Sequence, residues 1–460
     1  MNRCRFMSCS RTACTLMVLA LVQLLAATGA LAQVRHTVVA ASGEAAPAGG
    51  TYGNFLNTIA LNARGQIAFD VALGGPSTSG VFVSHGTTAS AIALGGNPDP
   101  ASANFIFVSA PSITTSGDVI FNTGTGIFRG NGMTNVPLAQ DGDPAPGGGS
   151  LIVGGSAFSA NSRGLIAFAT FVNGGVATEG IFRNDGFHTT AIALDGTPSP
   201  TGGTFLFFSS PVIDEVGRTA FFAGTIGGSA DFGIYRGDGE NIETIFAANQ
   251  IAPGGRTFVD FSDPIVNKHG QVLVLAQLDN GTGLFLNDEQ DSVAIAVSSQ
   301  PAPNGGSFSS FFGPLTLNDR GQTAFEARLT GGMSGVFRGD RTNVTPIALR
   351  GAAAPGTTGT FDTFGDLRIR KDGSVVFIAT LTLGVGGVDA SNNAGIWIGT
   401  SETDLHLVAR TSQNIAGKML TRPLRLGPLD MDQHSIVWLG RFAGNTTAIV
   451  SSELDSNVND

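Results

Sequence analysis

Cysteine is nearly missing from this chain of 460 residues, because Cys4, Cys9 and Cys14 are its only cysteines and all lie close to the N-terminus. The rest of the chain has no thiol, which excludes disulfide bonds, thiol catalysis and cysteine-ligated metal sites there. Tyrosine and tryptophan are also scarce, with two of each against 32 phenylalanines. Sugar-binding grooves usually present exposed Trp or Tyr rings, so this composition weighs against such a groove.

Charged residues are few and mostly acidic. They make up 13% of the chain, with a net charge of −10. Residues 1–32 contain three Arg and no acidic residue, so the remainder carries −13. Nucleic acids and anionic membranes recruit basic patches, and we expect neither as a partner. A hydrophobic content of 42% also excludes a disordered acidic chain.

The common catalytic and cofactor motifs are missing as well. The sequence has no G-x-S-x-G elbow, no Walker loop and no dinucleotide fingerprint that leads into a helix. The histidines are scattered, without a pair at metal-ligand spacing. They are His36, His85, His188, His269, His406 and His434. We therefore predict no catalytic residue, no cofactor and no metal site.

The N-terminus has the pattern of a secretory signal peptide. Three arginines precede an apolar run from Thr15 to Ala27, and Ala30-Leu-Ala32 follows as a small-residue cleavage site. The run is too short to favour a membrane anchor. Cys14 precedes most of this run, which is the wrong place for a lipid anchor. We expect cleavage after Ala32 and export of the rest to the periplasm or the extracellular space.

A motif of eight residues recurs along the exported part. It consists of Asn or Asp, two variable residues, Gly, two variable residues and Ala-Phe, as in Asn318-Asp-Arg-Gly-Gln-Thr-Ala-Phe325. Clear copies begin at Asn62, Asn161, Asp214 and Asn318; weaker copies centre on Gly117, Gly270 and Gly373, and a degenerate eighth spans Asp430 to Trp438. Successive motif glycines, from the first copy to the seventh, lie 47 to 53 residues apart. A fixed period of this length indicates a repeat architecture.

Each repeat is predicted to form four short strands, A to D. In one repeat, strand A covers Phe308 to Leu317, strand B Gln322 to Leu329, strand C the triplet Gly335-Val-Phe337 and strand D Thr345 to Leu349. Short strands with regularly spaced turns predict an all-β fold. The N-x-x-G segment is interpreted as a type I turn with its Gly at positive φ. Loss of its Asn should then cost only about 1 kcal/mol, the value of one turn hydrogen bond.

Strand B predicts sheets that are buried on both faces. In the first repeat Ile67, Phe69 and Val71 point to one side, while Ala68 and Ala72 point to the other. Stacked blades need this pattern, because the Phe face of one blade packs on the Ala face of the next. Strand A carries prolines, which belong on an edge strand such as the innermost strand of a propeller. They are Pro111, Pro211, Pro264 and Pro314. The alternative fold, a β-solenoid, has a period about half as long.

The phase of the repeats predicts how the ring closes. A D-type segment, Val38 to Gly50, precedes the first strand A, and the chain ends on a C-type strand, Thr446 to Val450. We therefore predict an all-β β-propeller of eight four-stranded blades, closed by the N-terminal strand. The propeller would span residues 33–450, followed by a polar tail at 451–460.

These repeats resemble a group of bacterial exported proteins that is named for tandem N-x-x-G-x-x-A-F repeats and often carries varied surface-anchoring C-termini. The resemblance covers residues 36–450 and concerns the scaffold, so it implies export but no catalytic residues. The tail of this chain lacks a hydrophobic sorting segment. We therefore expect a soluble form.

Two functions are compatible with this sequence. The first is a non-catalytic, monomeric binding protein for an extracellular or periplasmic ligand, either a protein or a glycan. The alternative is a glycoside- or polysaccharide-active enzyme, which would need at least two carboxylates at the mouth of the channel. Fold alone does not decide between them.

We predict that the ligand binds to the face formed by the D-to-A and B-to-C loops, because variable loops on a rigid scaffold are the usual place for recognition. The longest B-to-C loop runs from Gly384 to Ala394. Its candidate ligand residues are Asp389, Asn392 and Asn393. The alternative is a tolerated surface insertion without a role in binding.

Several short motifs have ordinary structural interpretations. Arg236-Gly-Asp238 and Arg338-Gly-Asp340 spell an integrin-type tripeptide, yet their place in the repeat predicts hairpin turns. The acidic segments Asn287 to Asp291 and Asp141 to Asp143 could offer oxygens to Ca²⁺, but solvated turns are expected.

The four Tyr and Trp residues divide by their place in the repeat. Tyr235, Trp397 and Trp438 replace core phenylalanines, and we expect them to be buried. Tyr52 would then be the only one left free.

Overall fold

The computed structural model of the chain describes residues 34–100, 104–428 and 435–454, and their regular structure is almost entirely β-strand. The signal peptide expected at 1–32, His434 and residues 430–434 of the eighth motif copy lie outside the described residues.

The strands follow the repeat, with blade 1 beginning at the second strand. The first five blades, preceded by the N-terminal strand, contain β1 (Arg35–Ala41); β2 (Thr51–Leu61), β3 (Gln66–Gly74), β4 (Ser79–His85), β5 (Thr88–Leu94); β6 (Val108–Ile113), β7 (Val119–Thr123), β8 (Gly126–Gly130), β9 (Asn135–Gln140); β10 (Ser150–Ile152), β11 (Phe158–Ala160), β12 (Ile166–Asn173), β13 (Glu179–Asn184), β14 (Thr189–Leu194); β15 (Thr204–Phe208), β16 (Val212–Ile213), β17 (Thr219–Ile226), β18 (Phe232–Gly237), β19 (Ile242–Ala247); β20 (Phe258–Phe261), β21 (Ile265–Val266), β22 (Val272–Leu278), β23 (Gly281–Asn287) and β24 (Ser292–Val297).

The last three blades contain β25 (Phe308–Leu317), β26 (Thr323–Leu329), β27 (Ser334–Gly339), β28 (Val344–Leu349); β29 (Phe361–Ile369), β30 (Val375–Leu381), β31 (Ala394–Gly399), β32 (Leu405–Arg410); β33 (Asn414–Ile415), β34 (Lys418–Leu426), β35 (Ser435–Phe442) and β36 (Thr446–Glu453), with a 3-10 turn at Ala443–Asn445.

The described strands form eight antiparallel sheets, each with its strands in the order A-B-C-D. In blade 8 the fourth strand comes from the other end of the chain, because β1 pairs with β36. The register places Val38 opposite Val450 and Ala41 opposite Ala448. The predicted eight-bladed propeller, closed by its N-terminal strand, is therefore confirmed. Strand β36 continues three residues past the predicted strand end at Val450, to Glu453.

Strand A is the innermost strand of each blade. Strands A of neighbouring blades are joined directly, since Ile213 N donates to Ser159 Oγ (3.3 Å) and Leu426 N donates to Asp366 Oδ2 (2.8 Å). In blades 3, 4 and 5 strand A is split into two short pieces, and Pro211 and Pro264 lie in the breaks of blades 4 and 5. Proline is tolerated there because an edge strand need not donate to a neighbour on both sides.

The blades pack as strand B predicts. Ala324 of blade 6 belongs to a buried cluster with Phe361, Phe377 and Trp397 of blade 7. Phe325, the next residue, lies in the other cluster, which includes Leu273 of blade 5. Both faces of the sheet are therefore buried, and each blade packs against its two neighbours.

The Asn of the repeat motif has a second role, which the turn interpretation missed. Asn318 Oδ1 accepts hydrogen bonds from the backbone N–H groups of Arg320 (3.0 Å) and Gln322 (2.9 Å), as expected for a turn. Its Nδ2 also donates to the carbonyl of Arg370 in the next blade (2.8 Å). Three other blades repeat this bond: Asn62 to Thr114, Asn161 to Asp214 and Asn267 to Asn318. The motif therefore ties each of these blades to the next.

An arginine in strand C makes a second bond of this kind. Arg183, Arg236 and Arg338 each donate from Nη1 to the carbonyl of the motif glycine in the following blade, at 2.8 to 3.0 Å. The A-to-B and C-to-D turns, which we call the turn face, are thus built from repeated structural contacts.

The opposite surface, which we call the loop face, carries the D-to-A and B-to-C connections. Seven D-to-A connections close on an equivalent antiparallel bridge, such as Pro301 with Ser307, so these connections resemble one another. The B-to-C connections differ much more, from two residues between β22 and β23 to twelve between β30 and β31. Variation on the loop face is therefore concentrated in the B-to-C loops and the strand ends beside them.

Candidate functional site

The three candidate residues lie together in the long loop of blade 7, where their polar groups hold the loop. Asp389 Oδ1 accepts hydrogen bonds from Ser391 N (2.8 Å) and Ser391 Oγ (2.6 Å), and these bonds hold the pKa of Asp389 below its usual value. Asn392 Oδ1 accepts from Asp389 N (3.0 Å), and the Asn393 carbonyl accepts from Leu381 N (2.7 Å). Val388 anchors the loop in the core of blade 7. These contacts give the three residues a structural role in the loop, and their role in ligand binding stays a prediction.

A different set of residues surrounds the mouth of the channel on the loop face. In blades 3 to 8, strands A and B place two residues opposite each other beside a buried cross-strand pair, and we call these the mouth pairs. They are Ile152–Phe171, Phe207–Gly224, Asp260–Gln277, Ser310–Arg328, Thr363–Thr380 and Arg422–Arg441. They occupy equivalent backbone positions, yet their side chains differ from blade to blade.

One side of the mouth is apolar. Phe171 is 62% exposed, and Ile152 and Phe207 are exposed beside it on blades 3 and 4. Further exposed apolar side chains lie just before strand A, on strand A or at the end of strand B in blades 2, 4 and 5; they are Ile106, Phe107, Leu206, Ile226 and Val259. An exposed apolar patch that continues over several blades is typical of a binding surface.

The other side of the mouth is basic. Arg328, Arg422 and Arg441 are exposed on blades 6 and 8, and none of them forms an ion pair within the described part of the chain. Arg422 and Arg441 stand directly opposite each other, an arrangement that is destabilising for like charges. The Arg328 guanidinium lies 5.7 Å from the ring centre of Phe312. These arginines have charge available for a ligand.

Between these arginines, blade 7 contributes hydroxyl groups. Thr363 Oγ1 and Thr380 Oγ1 are 2.6 Å apart. A cleft of about 260 Å³ separates blades 7 and 8 at this point, and Thr363, Thr380, Asp366 and Arg422 are among its lining residues. Phe364, Ile378 and Leu424 also line it, so the cleft offers hydroxyl groups and an arginine beside an apolar wall.

Glu326 is a buried carboxyl group of blade 6, on the same face of strand B as Ala324 and two residues before Arg328. Burial raises the pKa of Glu326 to about 7, although the charge of Arg328 opposes this shift. A carboxyl group with a pKa near neutrality is a candidate general acid or base.

Two other inner carboxylates are already engaged. In blade 1, Asp70 accepts backbone hydrogen bonds from Thr58 (3.3 Å) and Ala110 (3.0 Å), and burial raises its pKa. In blade 7, Asp366 accepts from Arg368 (2.5 Å) and from the backbone of blade 8. Neither therefore has both oxygens free to act with Glu326 as a second catalytic carboxylate.

Replacement of Glu326 by Gln should remove a pH dependence of stability. The folded-state pKa lies above the ordinary value of 4.5, so the protonated folded form is favoured and stability falls as the pH rises from about 4.5 to 7. Screening by solvent at the channel mouth reduces the expected effect to about 1 kcal/mol. Chemical denaturation at pH 5 and pH 8 should show that Glu326→Gln gains this amount at pH 8 only. Glu240→Gln, on an exposed hairpin, is the control; an equal gain there would contradict the account.

The other short motifs have structural roles. Arg236 is only 5% exposed and is bonded to the next blade, while Asp238 Oδ1 accepts from the backbone of Glu240 and Asn241. The predicted hairpin turns are present at both Arg-Gly-Asp segments.

The acidic turn at 287–291 is held by arginines. Asp288 and Asp291 pair with Arg341, while Glu289 pairs with Arg218 and Arg236. Among the described residues, no group of three His, Cys, Asp or Glu side chains is placed to hold a metal ion.

The aromatic residues correct one expectation. Tyr235, Trp397 and Trp438 are fully buried, as expected. The expectation that Tyr52 is free is wrong, because its ring packs 5.2 Å from that of Phe82, and burial together with Glu44 raises its pKa to about 12. The aromatic rings exposed at the mouth are phenylalanines.

Comparison with known proteins identifies the family. The chain matches the family of unknown function DUF7453 over residues 30–283 and 278–431. It belongs to this family. No curated protein matches this DUF7453 chain. Among its described residues, no helix is long and apolar enough to cross a bilayer.

The DUF7453 chain is weakly similar to several solved propellers. The β-propeller domain of the Trilobed protease from Pyrococcus furiosus matches with a TM-score of 0.41 and 10% identity over 76% of this chain and 93% of that one. The WD40 domain of SCAP from fission yeast matches with a TM-score of 0.39 and 12% identity over 92% and 99%. Polysaccharide lyase Uly1 matches with a TM-score of 0.39 and 10% identity over 80% and 98%. Likenesses this weak carry no conclusion about function.

Proposed function

We propose that this chain is an exported, non-catalytic binding protein that recognises its ligand at the channel mouth of the loop face. One observation carries the proposal. Equivalent mouth pairs change from Ile152–Phe171 through Asp260–Gln277 to Arg422–Arg441, whereas the turn face repeats the same Asn and Arg contacts. A rigid repeated frame with a varied, exposed rim is the usual arrangement of a recognition surface.

Export is part of the proposal and depends on the signal-peptide pattern of residues 1–32 and on the resemblance to exported repeat proteins. The absence of thiols from the rest of the chain fits a compartment where free thiols would oxidise.

A polysaccharide-active enzyme is the second candidate, and Glu326 is the observation that favours it. Glycoside hydrolysis needs two carboxyl groups on either side of the scissile bond, about 5 to 10 Å apart. Asp70 lies on blade 1 and is bound by backbone N–H groups, and Asp366 is bound by Arg368. Asp260 is an exposed carboxylate of the mouth pairs, but it lies on blade 5, whereas Glu326 is on the face of blade 6 that packs against blade 7. Binding without hydrolysis is therefore better supported.

A screen of glycan arrays and purified envelope proteins with matched variants tests the proposed function. Phe171→Ser changes the channel mouth, whereas Phe187→Ser changes an exposed ring on the turn face. Binding should fall at least about tenfold for the first variant and stay unchanged for the second, because only the first ring lies where the ligand docks. Equal affinity of both variants would place the site elsewhere. Product release from a bound glycan would favour the enzyme, and loss of that release in Glu326→Gln would identify its acid.

A further inference from the structure

We propose that the basic side of the mouth, formed by Arg328, Arg422 and Arg441, binds the carboxylate groups of an acidic polysaccharide chain. The proposal rests on the proposed function and names the class of ligand. It concerns a local surface and is compatible with the acidic balance of the whole chain, which excludes broad attraction to polyanions.

Among the described residues, the arginines at the mouth lack the acidic partners that other arginines of the propeller have. Arginines elsewhere in the propeller are commonly engaged: Arg236 bonds to Gly270 and Glu243, and Arg341 bonds to two aspartates. At the mouth, Arg422 and Arg441 instead face each other across adjacent strands without an acidic partner in the described part of the chain. An anion between two guanidinium groups would replace their repulsion with two attractive contacts. The arrangement of Arg422 and Arg441 therefore favours binding of an anionic group.

The spacing of the groups indicates an extended ligand. Arg328 belongs to blade 6, the Thr363–Thr380 hydroxyl pair to blade 7 and the Arg422–Arg441 pair to blade 8. A small ion could contact one blade, whereas a chain that alternates hydroxyl and carboxylate groups could contact all three. Arginine binds carboxylates through two parallel hydrogen bonds, which suits repeated uronate groups.

The neighbouring acidic groups leave the positive charge available. Asp362 pairs with Arg350 (3.0 Å) and Asp366 pairs with Arg368 (2.5 Å), so each already has a partner. Glu326 beside Arg328 is largely protonated below neutral pH because burial raises its pKa to about 7. The basic side of the mouth ends at blade 5, where the mouth pair contains Asp260.

The apolar side of the mouth can bind the faces of sugar rings. Phe171 and Phe207 are exposed on blades 3 and 4, which lie across the ring from blades 7 and 8. Sugar rings present C–H groups that pack on aromatic faces, whereas a free phosphate or sulfate ion has no such surface. This side therefore favours a saccharide as the carrier of the carboxylates.

The test measures the binding of labelled polygalacturonate oligosaccharides and of the same oligosaccharides after full methyl esterification, which removes the charge and keeps the sugar. The double variant Arg422→Gln/Arg441→Gln is compared with Arg35→Gln/Arg320→Gln, which removes the same charge from the outermost strand and the turn face. We expect the first variant to weaken binding at least about tenfold, the control to bind like the parent, and the ester to lose most of its affinity. The melting temperature of the mouth variant should not fall, because a repulsive pair is removed.

The remaining outcomes would overturn the proposal. Equal binding of the acid and its ester would show that carboxylates are not recognised. Equal losses in both double variants, or stronger binding of dextran sulfate or single-stranded DNA, would indicate unspecific attraction to polyanions. If no acidic saccharide binds, but a neutral glycan or a protein binds and is lost in Phe171→Ser, this proposal fails while the proposed function stands.

Discussion

A chain that lacks Val38 to Ser42 should unfold at a much lower temperature than the parent protein and should tend to self-associate. Strand β1 supplies the fourth strand of blade 8, and Val39, Ala40 and Ala41 are buried there. Its removal would expose the edge of β36 and the Phe-rich seam between blades 8 and 1. Loss of a buried strand with its hydrogen bonds should cost on the order of 5 kcal/mol. Scanning calorimetry and light scattering measure both effects.

A deletion of the same length at residues 456–460 serves as the control, because it shortens the chain without removing a described strand. If the Val38 to Ser42 deletion melts like this control, β1 does not close the ring in solution. A small loss of stability without association would mean that blade 8 is stable with three strands.

The fold could be predicted from the sequence because each blade repeats the same pattern of strands and turns. The alternation of Ala324 and Phe325 on strand B shows that both faces of a sheet are buried, and that requirement leads to stacked blades. The D-type segment at Val38 predicts the closing strand, since a closed ring cannot leave blade 8 one strand short. These inferences need only the length of the repeat and the alternation of side chains along a strand.

The contacts between blades could be predicted only in part, because they depend on how neighbouring sheets are rotated. The turn that Asn318 caps could be recognised from the sequence, but the bond from Asn318 to Arg370 joins residues 52 positions apart in different sheets. A signal for the strand C arginine does exist, since Arg129, Arg183, Arg236 and Arg338 all follow the Gly-aliphatic-aromatic triplet. A charged residue that recurs at the same place in successive repeats indicates a structural role.

The repeat also explains why Asp214 can replace the usual Asn in blade 4. An aspartate can accept hydrogen bonds but cannot donate one to the next blade. Its Oδ1 still caps the turn, and its Oδ2 binds Arg218 Nε (2.7 Å). Arg218 then reaches Glu289 of blade 5, so an ion pair takes the place of the missing amide bond.

The candidate site was harder to predict than the fold. Asp389, Asn392 and Asn393 looked available in a long loop, yet each of the three contributes a polar group to shaping that loop. The mouth pairs lie on strands whose two faces are both predicted to be buried, so the sequence gives no reason to expect exposed side chains there. Phe171 is 62% exposed near the end of strand B, where it pairs with Ile152, and alternation along the strand does not predict this exposure.

Phe325→Ala should be among the most destabilising single substitutions in the protein. The ring is fully buried between blades 5 and 6 and lies 5.7 Å from Phe337 and 5.8 Å from Phe311. Removal of a buried phenylalanine leaves a cavity that neighbouring rings can fill only partly, which costs about 3–5 kcal/mol. Urea denaturation followed by circular dichroism measures the loss. Phe187→Ala, on the exposed turn face, should change stability by less than about 0.5 kcal/mol.

Asn318→Ala provides the comparison that separates core packing from the contacts between blades. Its side chain accepts two turn bonds and donates one bond to Gln322 Oε1 and one to the Arg370 carbonyl, so we expect a loss of about 2 kcal/mol, more than a single turn bond would give. Asn318→Asp keeps the acceptor of the turn but replaces the Nδ2 donor with a buried carboxylate oxygen that faces Gln322 Oε1 and the Arg370 carbonyl. Blade 6 has no counterpart of Arg218 to pair with this charge, so Asn318→Asp should destabilise the protein at least as much as Asn318→Ala. If Asn318→Asp is as stable as the parent, the two bonds that Nδ2 donates contribute little. If Asn318→Ala costs more than Phe325→Ala, the hydrogen bonds between the blades outweigh the packing of their phenylalanines.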